Sequence, residues 1–531
     1  MPLFEDAGKE RFAVKHFQET ENTAGAQIAD PMPGNLTASL EENLTAFCHA
    51  LRVPRNKDVI IRRFRAGGFD AALVCIDGMC ATKTMDEHIL APAMELVDRQ
   101  PASEEDRLSW LLENAVSVVP AQEETQCQKA LSAVLDGQTL LLCEGCDTGA
   151  VLDTREYEKR AVTASPNERV VLGPHEGFIE NLRTNITLVR RIVRSPRLVT
   201  EFHPLGTGIP TRCAVLYLDG VAEERIVAEV RRRLEGVKAD FVPGTGELEQ
   251  LIEDHPYALM PQMLSTERPD RAASFLLDGQ VIVLVDGSPF ALCMPVTLFH
   301  LLHSPDDTFM RWQYGSFLRV VRMLGVLIHI FLPGIYVAII DFHPDILSPM
   351  MLTSIYESRA RVPLPSYLEA LLLTLSFYLI NEAGTRAPSA LGSALGIVSG
   401  LILGQAAVSA DLVSPLLLIV VAASGLGGFA VPNYSLSIAL RIAQLVVLTA
   451  GALYGLYGVL VMLVLYLALL CRMTSLGSPL VAPLAPARPA NEDIFVRLPL
   501  WYQKVRAFFS APAVMRRIRG RVRAWEGEKR P

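Results

Sequence analysis

The chain has 531 residues, half of them hydrophobic, with a mean hydropathy of +0.28 and a formal net charge of −8. It is too long for one ordinary domain, and its average charge hides a polarity: from Cys471 to Pro531, 12 Lys/Arg stand against 4 Asp/Glu, a surplus of +8 that leaves −16 for the rest. Residues 1 to about 315 hold most of the acidic side chains, whereas 320 to 470 are dominated by Leu, Ile, Val, Ala and Gly, a composition that excludes a purely water-soluble protein.

Residues 1–38 are polar and irregular and read as a flexible arm. They lack the basic and apolar regions of a secretory signal, so the first 300 residues are expected to stay on the side of synthesis. Residues 39–165 form a first α/β subdomain. Ser39 is a helix cap followed by Glu42 three residues on, Asp70–Gly78 has the short apolar run of a buried strand, helical patterns lie near 86–99 and 104–115, and a strand pair surrounds Asp136–Gly145. Cys143 and Cys146 form a lone CxxC with no second ligand pair, a better match to strand-turn-strand than to zinc. Residues 166–210 are a connector whose second half is an amphipathic helix; its basic face suits acidic lipid, another protein face or plain solvent. Residues 211–315 form a second α/β subdomain, with a strand at Cys213–Leu218, a helix at 221–235 and a strand pair over 273–296 in which Asp278-Gly279 and Asp286-Gly287 are hairpin-type turns. Gly206-Thr-Gly and Gly244-Thr-Gly continue into neither a P-loop nor a dinucleotide fingerprint.

Residues 316–470 read as a transmembrane domain with spans near 320–341, 391–410, 413–432 and 436–470, the last long for one crossing and rich in glycine from Gly451 to Gly458. Arg319 and Arg322 before the first span, and Asp341 and Asp345 after it, place its N-terminal side in the cytoplasm. A basic cytoplasmic tail, 471–531, requires an even number of crossings. The polar-flanked segment 366–384 is then an interfacial or re-entrant helix, or it crosses and a shorter glycine-rich segment does not. Gly392, Gly396, Gly400 and Gly404 mark one helix face, with Gln405 beside it, as a site of close helix packing or a smooth pore wall. Glu369, Arg441 and Gln444 are the candidate polar residues at membrane depth. The fold class is therefore an α/β soluble N-terminal region of two small mixed α/β subdomains, followed by a C-terminal α-helical transmembrane bundle. No nucleophile-base pair, phosphate loop or metal cluster is legible, so neither an enzyme nor a cofactor is expected, and no nucleic acid partner.

Several runs occur in order: Gly173-Pro-His-Glu-Gly-Phe-Ile-Glu-Asn-Leu-Arg-Thr-Asn-Ile, Thr266-Glu-Arg-Pro-Asp-Arg, Leu284-Val-Asp-Gly-Ser-Pro-Phe-Ala-Leu, Asn381-Glu-Ala-Gly, and Gly396-Ile-Val-Ser-Gly-Leu-Ile-Leu-Gly-Gln-Ala-Ala-Val. From about residue 60 to 475 this order resembles the GerA family of spore germination proteins, the A subunits of nutrient germinant receptors and their SpoVAF-like relatives. His175, Cys80 and Leu364 depart mildly from the family pattern. The resemblance implies a multi-pass protein of the spore inner membrane, with both termini in the spore core. It also implies a permease-like B subunit and a lipoprotein C subunit as partners, contact with membrane lipid, and a homo-oligomer forming a ligand-gated ion channel. The competing expectation is a non-conducting scaffold or accessory protein that anchors partners at the same membrane.

Overall fold

The computed structural model describes residues 32–96, 107–118, 121–156, 167–168, 170–386, 400, 402, 404–487, 496–503, 505–506 and 512. The N-terminal part contains two five-stranded antiparallel sheets. In the first, β1 (Val59–Ala66), β2 (Phe69–Ile76), β3 (Ala121–Glu124), β4 (Thr139–Cys143) and β5 (Gly149–Leu152) lie in the order β1-β2-β4-β5-β3. In the second, β6 (Leu198–Leu205), β7 (Thr211–Leu218), β8 (Leu264–Thr266), β9 (Val281–Val285) and β10 (Ala291–Met294) repeat it as β6-β7-β9-β10-β8. Helices cover both faces. The central strands are therefore buried along their whole length and read as unbroken apolar runs rather than alternating ones.

The two units are copies of one pattern, offset by 142 residues over most of their length. Helix α1 (Leu40–Ala50) precedes the first sheet as α4 (Leu182–Ile192) precedes the second, and they are capped by Ser39 and Asn181. Between them, α2 (Arg107–Asn114) and α3 (Cys127–Leu135) belong to the first unit, and α5 (Glu224–Gly236), α6 (Thr245–Ile252) and α7 (Pro269–Leu277) to the second. The internal hydrogen bonds repeat with the same offset. Buried Asn43 exchanges two bonds with the Thr37 backbone, and buried Asn185 does the same with Ile179. Leu40 N–H donates to Glu144, and Leu182 N–H to Asp286. Gly145 N–H reaches Ala38 O, and Gly287 N–H reaches Glu180 O. Each asparagine is nearly solvent-free and fully occupied, so its loss would strand backbone groups.

The duplication corrects the reading of the Asp-Gly pairs. Asp278-Gly279 closes a helix: Gly279, at φ +88°, follows the end of α7, and Gln280 N–H returns to Phe275 O, a left-handed helix stop. Residues 273–277 are accordingly helix and not strand. Asp136-Gly137 closes α3 in the same way, while Asp286-Gly287 does connect two paired strands, β9 and β10.

The amphipathic helix of the connector is α4, and most of it is buried. Its Arg190 is 2% exposed and grips Asp58, also 2% exposed, through two bonds of 2.6 and 2.8 Å. Asn56 and Thr200 complete the contact across the two units. Arg183 and Arg194 pair with Asp77 and Asp136 of the first unit. The basic face therefore meets protein carboxylates rather than lipid.

Beyond the second sheet lies a helical unit of α8 (Trp312–Phe342), α9 (Pro349–Arg359), α10 (Ser366–Arg386), α11 (Pro415–Phe429) and α12 (Tyr434–Arg472). Helices α8 and α12 are long and apolar enough to cross a membrane, each containing an 18-residue stretch of mean hydropathy 2.3. Helix α12 is not straight. Gly455 adopts φ +61° and ψ −147°, outside the helical region, and a side chain on Gly458 would collide with Ala450 O, eight residues back and about 12 Å away in a straight helix. The chain has reversed. Gly455 lies against Phe342 and His343 at the distal end of α8, yet Ser475 accepts from Val296 N–H (3.1 Å) and Leu480 O from Leu298 N–H (2.8 Å), beside the second sheet. Only a helical hairpin joins those points. One apolar cluster runs without interruption from the second sheet through Leu216 and Leu284 to Ile330, Leu440 and Val447.

Near this junction Glu249 of α6 carries a carboxyl pushed up to about 7, by burial first and then by the Glu253 charge. A raised acid contributes no penalty below its unfolded value near 4.5, and it destabilises progressively as pH rises through the folded value. Glu249→Gln is expected to flatten this slope and to raise stability at pH 8 by about 1–2 kcal/mol, measured as a thermal midpoint at pH 5 and pH 8.

Candidate functional site

The closest helix approaches are built on glycines that alternate between partners. A Cβ on Gly451 would lie 2.5 Å from Gly334 O, and one on Gly334 would lie 2.9 Å from Val447 O, so α8 and α12 touch backbone to backbone. Toward the base, Gly427 faces Gly325 O, and Gly428 leaves room for the His329 ring, with Cε1 at 2.9 Å from the Cβ position. Pro333, inside α8, removes one backbone donor at the same crossing.

Within this crossing four helices share a chain of polar groups. His329 is 1% exposed, and its Nδ1 lies 2.9 Å from Ser424 O; a carbonyl only accepts, so Nδ1 carries the proton. Ser424 Oγ donates to His329 O (3.0 Å) and accepts from Gln444 Nε2 (2.9 Å). Gln444 Oε1 accepts from the Tyr378 hydroxyl. Arg441 stacks over the Tyr378 ring at 5.5 Å and donates to Asn381 Oδ1. Buried polar groups require such partners, and a connected network orders the helices that supply them.

A second group closes the distal end. Glu369 is fully buried; its Oε1 accepts from Ser414 N–H at 2.5 Å, at the start of α11, and its Oε2 lies 3.7 Å from Arg359 Nε. Asp341 accepts from Ser366 Oγ and also faces Arg359. At the base, Arg319 and Arg322 converge on the buried Asp307 at 3.5 and 2.9 Å.

Of the residues singled out from sequence, Glu369, Arg441 and Gln444 thus sit in polar contacts inside the helical unit. Gly392 and Gly396 lie outside the described residues. Among the described residues Gly400 has no atom within 4 Å of its Cβ position and Gly404 touches only Leu418, and Gln405 is exposed. The glycines that do pack, Gly325, Gly334, Gly427, Gly428 and Gly451, are spaced irregularly, so single-chain periodicity gave no hint of them. Ser424, Tyr378 and Asn381 were missed because nothing in a lone sequence aligns them with His329. Among the described residues no group of three or more His, Cys, Asp or Glu is arranged to hold a metal, and Cys143 and Cys146 flank a turn between buried strands.

The family described as Bacillus/Clostridium GerA spore germination protein matches residues 48–509. The chain belongs to the GerA family. The matched span contains both sheets and every polar contact described in the helical unit. Spore germination protein B1 of Bacillus subtilis (strain 168) is 37% identical over 476 residues, covering 89% of this chain and 97% of that protein. Uncharacterized membrane protein YfkQ of the same organism is 31% identical over 492 residues, covering 92% and 93%. Among solved structures, the N-terminal domain of the A subunit of the Bacillus megaterium spore germinant receptor GerK3 aligns at 27% identity with a TM-score of 0.40, over 50% of this chain and 98% of that one.

Proposed function

We propose that this GerA-family chain is an A-type subunit of a nutrient germinant receptor in the spore inner membrane. Several copies surround an ion path that opens on germinant binding, with a permease-like B subunit and a lipoprotein C subunit as partners. The chain has no catalytic role in this reading. Membrane crossing is supported by the two long apolar helices and by the membrane-protein relative. It is also supported by exposed aromatic residues at both ends of the unit: Tyr314 and Tyr434 at the base, Phe342, Tyr454 and Tyr457 distally. Tyr434 and Tyr454 are separated by about 30 Å along α12, the thickness of a hydrocarbon core.

The order of contacts along the helices favours six passes. Helix α8 runs outward, and α10 returns from Glu369 beside Asp341 to Asn381 beside Arg441. Ser414, beside Glu369, is again at the distal end, α11 comes back from it, and the halves of α12 go out and return. An even count puts the tail on the side of the sheets, where Arg497 contacts Ser316, Thr308 and Met310.

The observation that supports the oligomeric channel is that, among the described residues, nothing lies within 4 Å of a Cβ on Gly400 and only Leu418 lies near one on Gly404. Gly400→Leu is therefore expected to leave the protomer folded while changing the oligomer measured by size-exclusion light scattering and reducing cation flux from proteoliposomes. A variant with wild-type assembly, together with an unmodified chain that passes no cations, would favour a non-conducting scaffold.

A further inference from the structure

Two short segments outside the helical unit carry exposed apolar side chains at the level where the chain enters and leaves the membrane. In the loop after α6, Tyr257 is 100% exposed and Leu259 55%; in the tail, Leu500 and Tyr502 are 62% and 67% exposed, with Trp501 between them at 39%. Soluble proteins seldom leave such side chains in adjacent positions without a use for them.

Both segments are tied to helix ends. Asp254, three residues before Tyr257, accepts from Thr474 Oγ and from Gly477 N–H at 2.9 Å, just past Arg472 at the end of α12. Met260 shares an apolar cluster with Met473. Arg497, three residues before Leu500, donates to Thr308 O and Met310 O at 2.7 and 2.6 Å, and its N–H donates to Ser316 Oγ in the second turn of α8. Ser316 precedes the apolar run that begins at Met323 by about 10 Å, and Thr474 follows Leu470 by about 6 Å. Headgroup layers occupy roughly 5–8 Å on each side of the hydrocarbon. The loop and the tail are thus each tied within about 10 Å of an apolar run, on two different helices.

We infer that the sheet-bearing part rests on the bilayer surface through Tyr257, Leu259, Leu500, Trp501 and Tyr502, and that the exposed Arg311 and Arg472 beside the two tethers meet anionic phospholipid headgroups there. Amphipathic aromatic rings favour this layer, with the ring in the acyl boundary and the polar tip in water. Charge completes the argument: Arg311 and Arg472 are exposed beside the two tethers, and the last 61 residues carry a surplus of +8, which an acidic leaflet attracts. The inference rests on the membrane-crossing reading above.

The test uses the full-length chain in vesicles of phosphatidylglycerol and phosphatidylcholine. The chain has four tryptophans; W110F/W312F/W525F leaves Trp501 alone, and Leu465→Trp in a background that also carries W501F provides a reference inside the hydrocarbon. Trp501 fluorescence is expected to be quenched more by lipids brominated near the headgroup than by lipids brominated deep in the chains, with the reverse order for Leu465→Trp. Tyr257→Trp in the same tryptophan-free background is expected to behave like Trp501. Replacing phosphatidylglycerol by phosphatidylcholine should weaken the Trp501 quenching, and quenching of equal strength would overturn the anionic recognition. If Trp501 answers only to aqueous iodide while Leu465→Trp answers to deep bromine, the surface contact is wrong and the membrane crossing stands. If neither answers to brominated lipid, the crossing itself fails.

Discussion

Gly451→Leu is expected to abolish the stable helical unit, whereas Gly400→Leu is expected to leave it intact. At Gly451 even the first added carbon would lie 2.5 Å from Gly334 O and 3.1 Å from its carbonyl carbon. These are backbone atoms of α8 and cannot rotate aside as a side chain would. The two helices would have to separate along their whole crossing, which also holds Val447 against Gly334 and the reversal at Gly455 against Phe342. Overpacking of a tight core costs about 1–3 kcal/mol when side chains can yield, and a rigid backbone contact belongs at or above the top of that range. The measurement is the thermal midpoint and the monodisperse yield in detergent. A Gly451→Leu protein as stable as the parent would show that α8 and α12 are not in backbone contact.

The second large effect is expected at the joint between the two sheets. Asp58→Ala leaves Arg190, 2% exposed, with its main counter-ion removed and no water to replace it. Breaking a buried ion pair from one side costs about 3–5 kcal/mol, because the remaining charge is stranded. The double variant Asp58→Ala/Arg190→Met removes both charges and is expected to recover much of that loss. Hydrogen exchange of the full chain would report it as faster exchange across residues 187–201 in the single variant and partial protection in the double. Equal exchange in the two variants would mean that the pair does not hold the joint.

Both effects arise from contacts that a lone sequence displays unevenly. The division into a charged α/β part, an apolar helical part and a basic tail was legible because burial demands composition: unbroken Val/Ile/Leu runs for strands covered on both faces, and long apolar helices where hydrogen bonds must be internal. The duplication was not read from the sequence, although Asp136-Gly-Gln and Asp278-Gly-Gln stand at the same offset as Asn43 and Asn185; the shared sheet order and hydrogen bonds revealed it. The hairpin reading of Asp278-Gly279 failed because an Asp-Gly pair serves a helix stop and a strand turn equally well, and what precedes it decides between them.

For the candidate site the balance is reversed. Sequence by itself determined that Glu369, Arg441 and Gln444 stand within apolar runs and need partners there, since a buried polar group is costly if left alone. Only the tertiary structure decided what those partners are, because His329, Tyr378, Ser424 and Gln444 come from four helices up to 115 positions apart. It also decided that the long final helix turns back at Gly455, since a glycine-rich run permits a kink, a tilt or a reversal alike, and only the contact of Gly455 with Phe342 at one end of the unit, together with that of Ser475 with Val296 at the other, requires the reversal.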